Sequence, residues 1–372
     1  MWTLSETASG LPVPPLGLGL GGKFALDPSA ASTHVAAVHL ALDLGIRLLD
    51  TAEVYAEGGS ETLLGRALRG RRDQAWIATK VRPEHLAKAD LIRACEGSLQ
   101  RLGTDRIDLY QVHWPNPAVP LEETAEALLQ LHREGKIRHI GVSNFPVELL
   151  EQMEAALGAQ PLFSVQSEYN LGDRTLEDRV LPHCAARGLK VLAYSPLDQG
   201  RLVAHAGCRA ALTRIAAAHG TTPTRAALQF LMSRPGVVPI PSSLNPAHLA
   251  ENARALTDPL PQEALARIDE ECRIRVEAVP WTEIRPIPDP TGQHSVPLSL
   301  EEARRNPMGL CPSPLELAEE IRQDDRIKPI RIAALPEAVG PFRYDLVEGR
   351  LRFWAWVLAF EGRRPVPALV RS

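Results

Sequence analysis

Cysteine is scarce in this chain. The five cysteines, Cys95, Cys184, Cys208, Cys272 and Cys311, are odd in number and far apart. That excludes a metal site of closely spaced cysteine pairs and points to reduced thiols in a reducing compartment. An excess of charge is also missing. Lys and Arg total 41 against 45 Asp and Glu, for a net charge of -4, so nothing in the bulk charge draws the chain to nucleic acid or an anionic membrane. The opening stretch MWTLSETASGLPVPP has neither the basic start nor the apolar run of a signal peptide or membrane span, and the cytoplasm is the expected compartment. No GxGxxG opens a helix, so the dinucleotide fingerprint of an open Rossmann sheet is lacking. The LGLG at 16–19 is only a glycine pair after an apolar run.

What is present is an ordinary globular composition, 45% hydrophobic and 23% charged, in a chain long enough for one large domain and a smaller one. Short apolar segments alternate with longer amphipathic ones, the pattern of repeated βα units around a parallel sheet. The predicted strands are 16–20, 46–49, 76–80, 107–113, 137–142, 163–166, 190–193 and 237–240. Apolar residues at helical spacing predict helices over 34–44, 61–68, 89–102, 121–133, 147–156 and 176–187, with a double helix, 209–219 and 225–232, before the eighth strand. Eight units within about 270 residues predict a (β/α)8 barrel, a TIM-barrel architecture. An open doubly wound sheet is the alternative.

After Cys272 the pattern changes. Pro280, Pro286, Pro288, Pro290 and Pro297 cluster in a stretch unable to sustain a helix or a central strand. The expected organisation is a barrel over 1–278, a Pro-rich linker over 279–294 and a small α+β domain over 295–372. In that last domain helices are predicted near 314–323 and 350–359, with strands at 330–333 and 344–347. Its 12 basic and 11 acidic residues leave no nucleic-acid footprint.

Reacting groups in such a barrel lie at the C-terminal ends of strands or in the loops that follow. Asp50 follows the second strand, Tyr55 lies in the next loop, Lys80 ends the third strand and His113 ends the fourth. Carbonyl reduction needs a proton at oxygen while a hydride reaches carbon. A tyrosine, with a reference pKa of about 10, becomes a better acid beside a cation that favours its phenolate. Lys80 supplies that cation, Asp50 holds the ammonium, and His113 orients or polarises the carbonyl oxygen. Singly, each residue also suits a packing role or a structural ion pair. The four together point to the reaction.

The blocks RLLDTAEVYAEGGSETLLGRAL, WIATKV and IDLYQVHWP, followed by GVSNF, VQSEYN and AYSPL, resemble the signatures of the aldo-keto reductase family over residues ~10–275. The resemblance implies that Asp50, Tyr55, Lys80 and His113 form a catalytic tetrad. It implies that Ser143, Asn144 and Gln166 bond the nicotinamide amide, that Tyr194 stacks beneath the ring, and that Ser195 and Leu197 line the cofactor. In PIPSSLNPAHLAEN, Ile240, Ser242, Ser243, Glu251 and Asn252 fall at cofactor positions, the last two facing the adenine. Many members carry lysine where Ser242 stands and arginine where His248 stands. Here Ser243, Asn245 and the helix start near Pro246 offer hydrogen bonds to phosphate instead. The implied cofactor is NADPH, with NADH as the alternative. No metal is implied.

The segments VPLSLEEARRNPMGLCPSPLELAEEIRQDDRIKPIRI and YDLVEGRLRFWAWVLAFEGRRPVPALV are similar to the ParB/sulfiredoxin-like fold. The likeness implies nucleotide phosphates at Gly349, Arg350 and Arg352, although Leu351 interrupts the usual double arginine. Phe353, Trp354 and Trp356 read as core rather than as a stacking platform. The expected function is reduction of an aldehyde or ketone to an alcohol. The alternative is a bifunctional or regulatory protein whose C-terminal domain binds a nucleotide or phosphorylates a small molecule.

Overall fold

Strands that lie between a packed interior and a layer of helices must be buried on both faces. The first sheet is built that way: WIATKV and IDLYQV are buried at every position. The computed structural model describes residues 13–21, 31–202, 205–274, 276–288, 297–310, 312–324 and 327–371. Residues 1–12, where most of the opening stretch lies, and Cys311 fall outside them. Contacts divide the chain into two compact units, one running to Leu202 and from Ala211 to Glu271, the other holding Val203–Ala210 and everything from Cys272 onward.

In chain order the first elements are β1 (Gly17–Gly19), α1 (Ala31–Asp43), β2 (Leu48–Asp50), α2 (Gly59–Ala67), β3 (Trp76–Val81), α3 (Lys88–Leu102), β4 (Ile107–Val112) and α4 (Leu121–Arg133). Then follow β5 (Ile137–Ser143), α5 (Val147–Leu157), β6 (Ser164–Glu168), α6 (Val180–Arg187), β7 (Lys190–Tyr194), α7 (Ala206–Ala218), α8 (Pro223–Met232), β8 (Val237–Pro239), α9 (Pro246–Ala253) and α10 (Gln262–Glu271). The eight strands pair in parallel in sequence order. The Gly19 amide donates to the Pro241 carbonyl at 3.0 Å, joining the first strand to the end of the eighth. This is a (β/α)8 barrel. A Cβ on Gly17 would stand 2.7 Å from Ile240 Cγ2, so only glycine lets the two strands pass this closely.

The helices start and stop where local chemistry directs. Thr222 and Asn245 cap α8 and α9 with side-chain oxygens, each followed by proline at the first helical position, where its missing amide costs nothing. Gly103 ends α3 in the left-handed conformation at φ 62°, closing the orphan carbonyls. The interior of the barrel is apolar below the rim, with Leu48, Trp76, Ala78, Leu109, Leu192 and Val238 in one cluster. The expected helix over 176–187 begins later, because a 3-10 turn at Thr175–Glu177 precedes α6.

The second unit contains β9 (Glu277–Val279), β10 (Ile284–Pro286), α11 (Leu300–Arg305), α12 (Pro314–Asp324), β11 (Ile330–Val339), β12 (Phe342–Glu348), α13 (Arg350–Ala359) and β13 (Val366–Arg371). Its sheet runs β10-β12-β11-β13-β9. The stretch read as the barrel's end and a linker therefore contributes two strands. Both are edges, the place where proline is tolerated because a missing amide there breaks no ladder. Arg285 pairs with Asp345 at 2.6 and 2.9 Å to fix β10 against β12. β11 is longer than expected, continuing past Pro336 with a register shift between Ala334 and Val339, the signature of a bulge. Phe353, Trp354 and Trp356 are buried in the core with Ile330, Ile332 and Leu346, and the indole nitrogens donate to Pro297 and Pro365. Among the described residues no helix is long and apolar enough to cross a membrane.

Candidate active site

Alternation along a strand decides which side chains reach the barrel interior. Leu109 belongs to the interior cluster, so Gln111, two residues on, faces the same way one layer higher. Register places Gln111 opposite Lys80 and Ser143 opposite Gln166. Asp50 ends β2 in the same upper layer. Polar side chains from five strands thus meet at the C-terminal rim.

Lys80 is fully buried, and its Nζ donates to Asp50 Oδ2 at 2.7 Å and to the Thr51 carbonyl at 2.8 Å. The other oxygen of Asp50 accepts from Gln166 Nε2 at 2.8 Å and Gln111 Nε2 at 3.4 Å. Both carboxylate oxygens are therefore fixed. The ammonium stands 5.1 Å from the centre of the Tyr55 ring. Burial acts to lower the Lys80 pKa, but the Asp50 carboxylate and the Tyr55 oxygen outweigh it and hold the pKa above its usual value. A charge this buried depends on its partners, and removing one would cost about 3–5 kcal/mol.

His113 follows β4, its amide bonded to the Val81 carbonyl at 3.0 Å. Its ring meets Tyr55 edge to face, with centroids 5.7 Å apart at 87°. Burial, reinforced by the Lys80 charge, pushes its pKa down to about 3, so the imidazole is neutral at ordinary pH and can donate a hydrogen bond without carrying a charge. Gly21 lies flat against Tyr55, where a Cβ would come within 3.0 Å of the ring. Asp50, Tyr55, Lys80 and His113 are brought together.

The residues expected around the nicotinamide adjoin them. Asn144, at φ 62°, donates to the His113 carbonyl at 3.2 Å and to Ser143 Oγ at 3.0 Å, and accepts from the Tyr194 hydroxyl at 3.0 Å. Its amide is engaged at both ends. Ser195 is also left-handed, at φ 47°, and its carbonyl accepts from Asn170 Nδ2 at 3.1 Å. Leu197 packs beside Leu228 and Met232, and Ile240 is buried in the barrel interior.

On the β8–α9 segment Ser242 is exposed, while Ser243 Oγ accepts from the Asn245 amide at 3.1 Å and lies 3.4 Å from His248 Nδ1. Asn245 Oδ1 takes the Ala247 amide at 2.9 Å. Glu251 is engaged by the Thr222 hydroxyl, and Asn252 is buried. These residues form a separate group along one edge.

The phosphate-binding expectation at Gly349, Arg350 and Arg352 does not fit the geometry. Arg350 donates to the Ile287 and Pro288 carbonyls, and Arg352 to those of Lys328 and Pro329. The space above Gly349 is filled by Arg352 and Ile330, each 3.1 Å from where a Cβ would sit. The donors tie chain segments together.

Gln111 and Gly21 were not picked out from the sequence. The signal for Gln111 was a polar residue two places after Leu109 in a strand otherwise apolar on that face; for Gly21 there was none. Among the described residues no cluster of histidine, cysteine and acidic side chains could hold a metal ion.

Residues 15–272 match the model of the aldo/keto reductase family. The methylglyoxal reductase YeaE of Escherichia coli (strain K12) is 38% identical over 244 residues, 65% of this chain and 86% of that protein. Two solved structures of an aldo-keto reductase from Klebsiella pneumoniae, one with NADP and acetate and one with NADPH, are 38% identical with a TM-score of 0.65. Each alignment covers 72% of this chain and 94% of the other. The barrel chain belongs to the aldo/keto reductase family and is an oxidoreductase.

Proposed function

We propose that the barrel reduces a small aldehyde or ketone to an alcohol with NADPH, Tyr55 delivering the proton to the carbonyl oxygen. The observation that carries this reading is the Lys80 ammonium, buried between Asp50 and the Tyr55 ring. It remains charged through the reaction and stabilises the phenolate that proton donation leaves behind. Neutral His113 donates a hydrogen bond to the same carbonyl oxygen and fixes its direction. The relatives called methylglyoxal reductases and the solved relatives bearing NADP or NADPH support both the substrate class and the cofactor.

The donor set fits a nicotinamide. Ser143 has a hydroxyl proton to give, Gln166 Oε1 can accept, and the two are register neighbours across β5 and β6, which matches the acceptor and donor of a carboxamide. Tyr194 would support the ring, and Ser242, Ser243 and the capped start of α9 would hold phosphate. Bound there, the cofactor supplies the hydride. Purified protein should consume NADPH with members of a panel of small aldehydes and ketones, and NADH run in parallel tests the absence of cations at Ser242 and His248. Tyr55→Phe should lower kcat by about 10³-fold or more while leaving cofactor binding intact; an equally active variant would remove Tyr55 from the reaction.

For the second unit we propose that the ParB/sulfiredoxin-like likeness is one of fold alone. It is supported by α13 following β12 through left-handed Gly349, with arginines committed to carbonyls rather than to phosphate.

A further inference from the structure

The loop that carries Tyr55 has an unusual backbone. Ala56, Glu57 and Gly58 have φ of 51°, 50° and 83°. These are three successive residues in the left-handed region, two of them bearing side chains that disfavour it. Such a run persists only where its surroundings hold it.

Here the surroundings are charged. Glu53, two residues before Tyr55, and Glu61, six after it, are 6% and 0% exposed. Arg101 reaches both carboxylates; Glu53 is also met by His85 Nδ1 at 3.1 Å and Arg82 Nε at 3.9 Å, and Arg82 bonds Glu57 in the loop at 2.9 Å. Arg101, near the end of α3, places Nε 2.6 Å from Glu61 Oε2 and Nη2 4.0 Å from Glu53 Oε2. Two glycines leave room for its passage. A Cβ on Gly58 would fall 2.5 Å from Arg101 Cδ, and one on Gly97 would fall 3.0 Å from Nη1. On the far side, Glu61 Oε1 accepts from Thr79 Oγ1 at 2.6 Å, and Thr79 immediately precedes Lys80. The Glu53 amide donates to the Lys80 carbonyl at 3.2 Å, and its carboxylate takes the Arg82 amide at 2.7 Å. The bonds of Arg101 go to Glu61, Ser98 and, more loosely, Glu53; none goes to the four rim residues.

We propose that Arg101 is a positioning residue for the proton donor. Its guanidinium, threaded past Gly58 and Gly97, clamps Glu53 and Glu61 and so holds the left-handed loop that aims Tyr55 at the strand bearing Lys80. The inference rests on Tyr55 being the donor. Displacing that phenol by an ångström would slow the chemical step without touching the edge of the barrel proposed to bind cofactor.

The test is steady-state kinetics on the full chain with NADPH and whichever small aldehyde the wild type reduces. Arg101→Met should lower kcat by about 10- to 100-fold and change KM for NADPH by less than about threefold, and Arg101→Lys should recover part of the loss. Should Arg101→Met fail to fold because Glu61 is left charged and buried, the double variant Arg101→Met/Glu61→Gln decides. It leaves no unpaired charge at Glu61 and keeps an acceptor for Thr79. A reduced kcat at unchanged cofactor KM supports the clamp. Wild-type kcat in either variant overturns it, as does an equal loss of kcat and NADPH affinity, which marks general destabilisation. A wild type that reduces no carbonyl with either cofactor removes the functional reading itself, a different outcome from an active wild type beside an unaffected Arg101→Met.

Discussion

Lys80 and Arg352 are cations at comparable places, one at the C-terminal end of β3 in the barrel, the other in the first turn of α13 in the second unit. Lys80 has one carboxylate partner, one carbonyl and a phenol ring 5.1 Å away. Arg352 is bonded to the Lys328 and Pro329 carbonyls at 2.7 and 3.0 Å and lies 3.8 Å from Glu348. The difference lies in what the charge acts upon. Lys80 is held so that its field falls on a group able to give up a proton, whereas Arg352 satisfies carbonyls that have nothing further to do. Lys80 is fully buried and Arg352 partly exposed, but it is the identity of the neighbours that sets what each charge does.

The largest effect expected of that contrast comes from Lys80→Met. Turnover should fall by about 10²- to 10⁴-fold, and the protein should lose about 3–5 kcal/mol of stability because Asp50 stays buried without its partner. Turnover within tenfold of wild type would make the pair structural and erase the contrast.

Smaller, and confined to the barrel, is a dependence of stability on pH. His113 at the rim and His139 at the opposite end, stacked on Phe163 at 4.3 Å, have pKa values pushed by burial down to about 3 and about 4. In the unfolded chain both titrate near 6.5. Between about pH 6.5 and those lower values the unfolded state binds more protons, so stability falls as pH is lowered through that window. Denaturant midpoints should drop by the equivalent of about 1–3 kcal/mol from pH 7 to pH 5, and His139→Gln should blunt the fall. A flat profile would show that these rings are not buried neutral.

The smallest effect is expected at Arg352. Arg352→Met should cost the second unit about 1–2 kcal/mol in thermal or denaturant unfolding and leave reductase kcat unchanged. Loss of turnover would mean that this corner serves the reaction after all.

Much of the barrel was legible because its signals are local. Apolar runs of strand length, helical spacing between them, and residues such as Asn245 and Gly103 that start or stop helices can each be read within a few positions. Asp50, Tyr55, Lys80 and His113 could be singled out for the same reason, since each lies at or just beyond a strand end. Less visible were α11, a six-residue helix capped by Ser299, and two short edges, β9 at the expected end of the barrel and β10 in the Pro-rich stretch read as linker. Strand membership there depends on partners found far along the chain, such as Asp345 for Arg285. The arginines of α13 bond the chain's own carbonyls, and a helix start looks the same in sequence whether its cations face those or phosphate.

By itself the sequence determined the order of the βα units, the chemistry available at the strand ends and the family. Tertiary structure decided which of those groups act on one another. Asp50 finds Gln111 and Gln166 from 61 and 116 positions away, and Arg101 reaches Glu61 across 40. Closing a barrel fixes such distances through register and layer, quantities set by pairing between strands and not by the residues of any one of them.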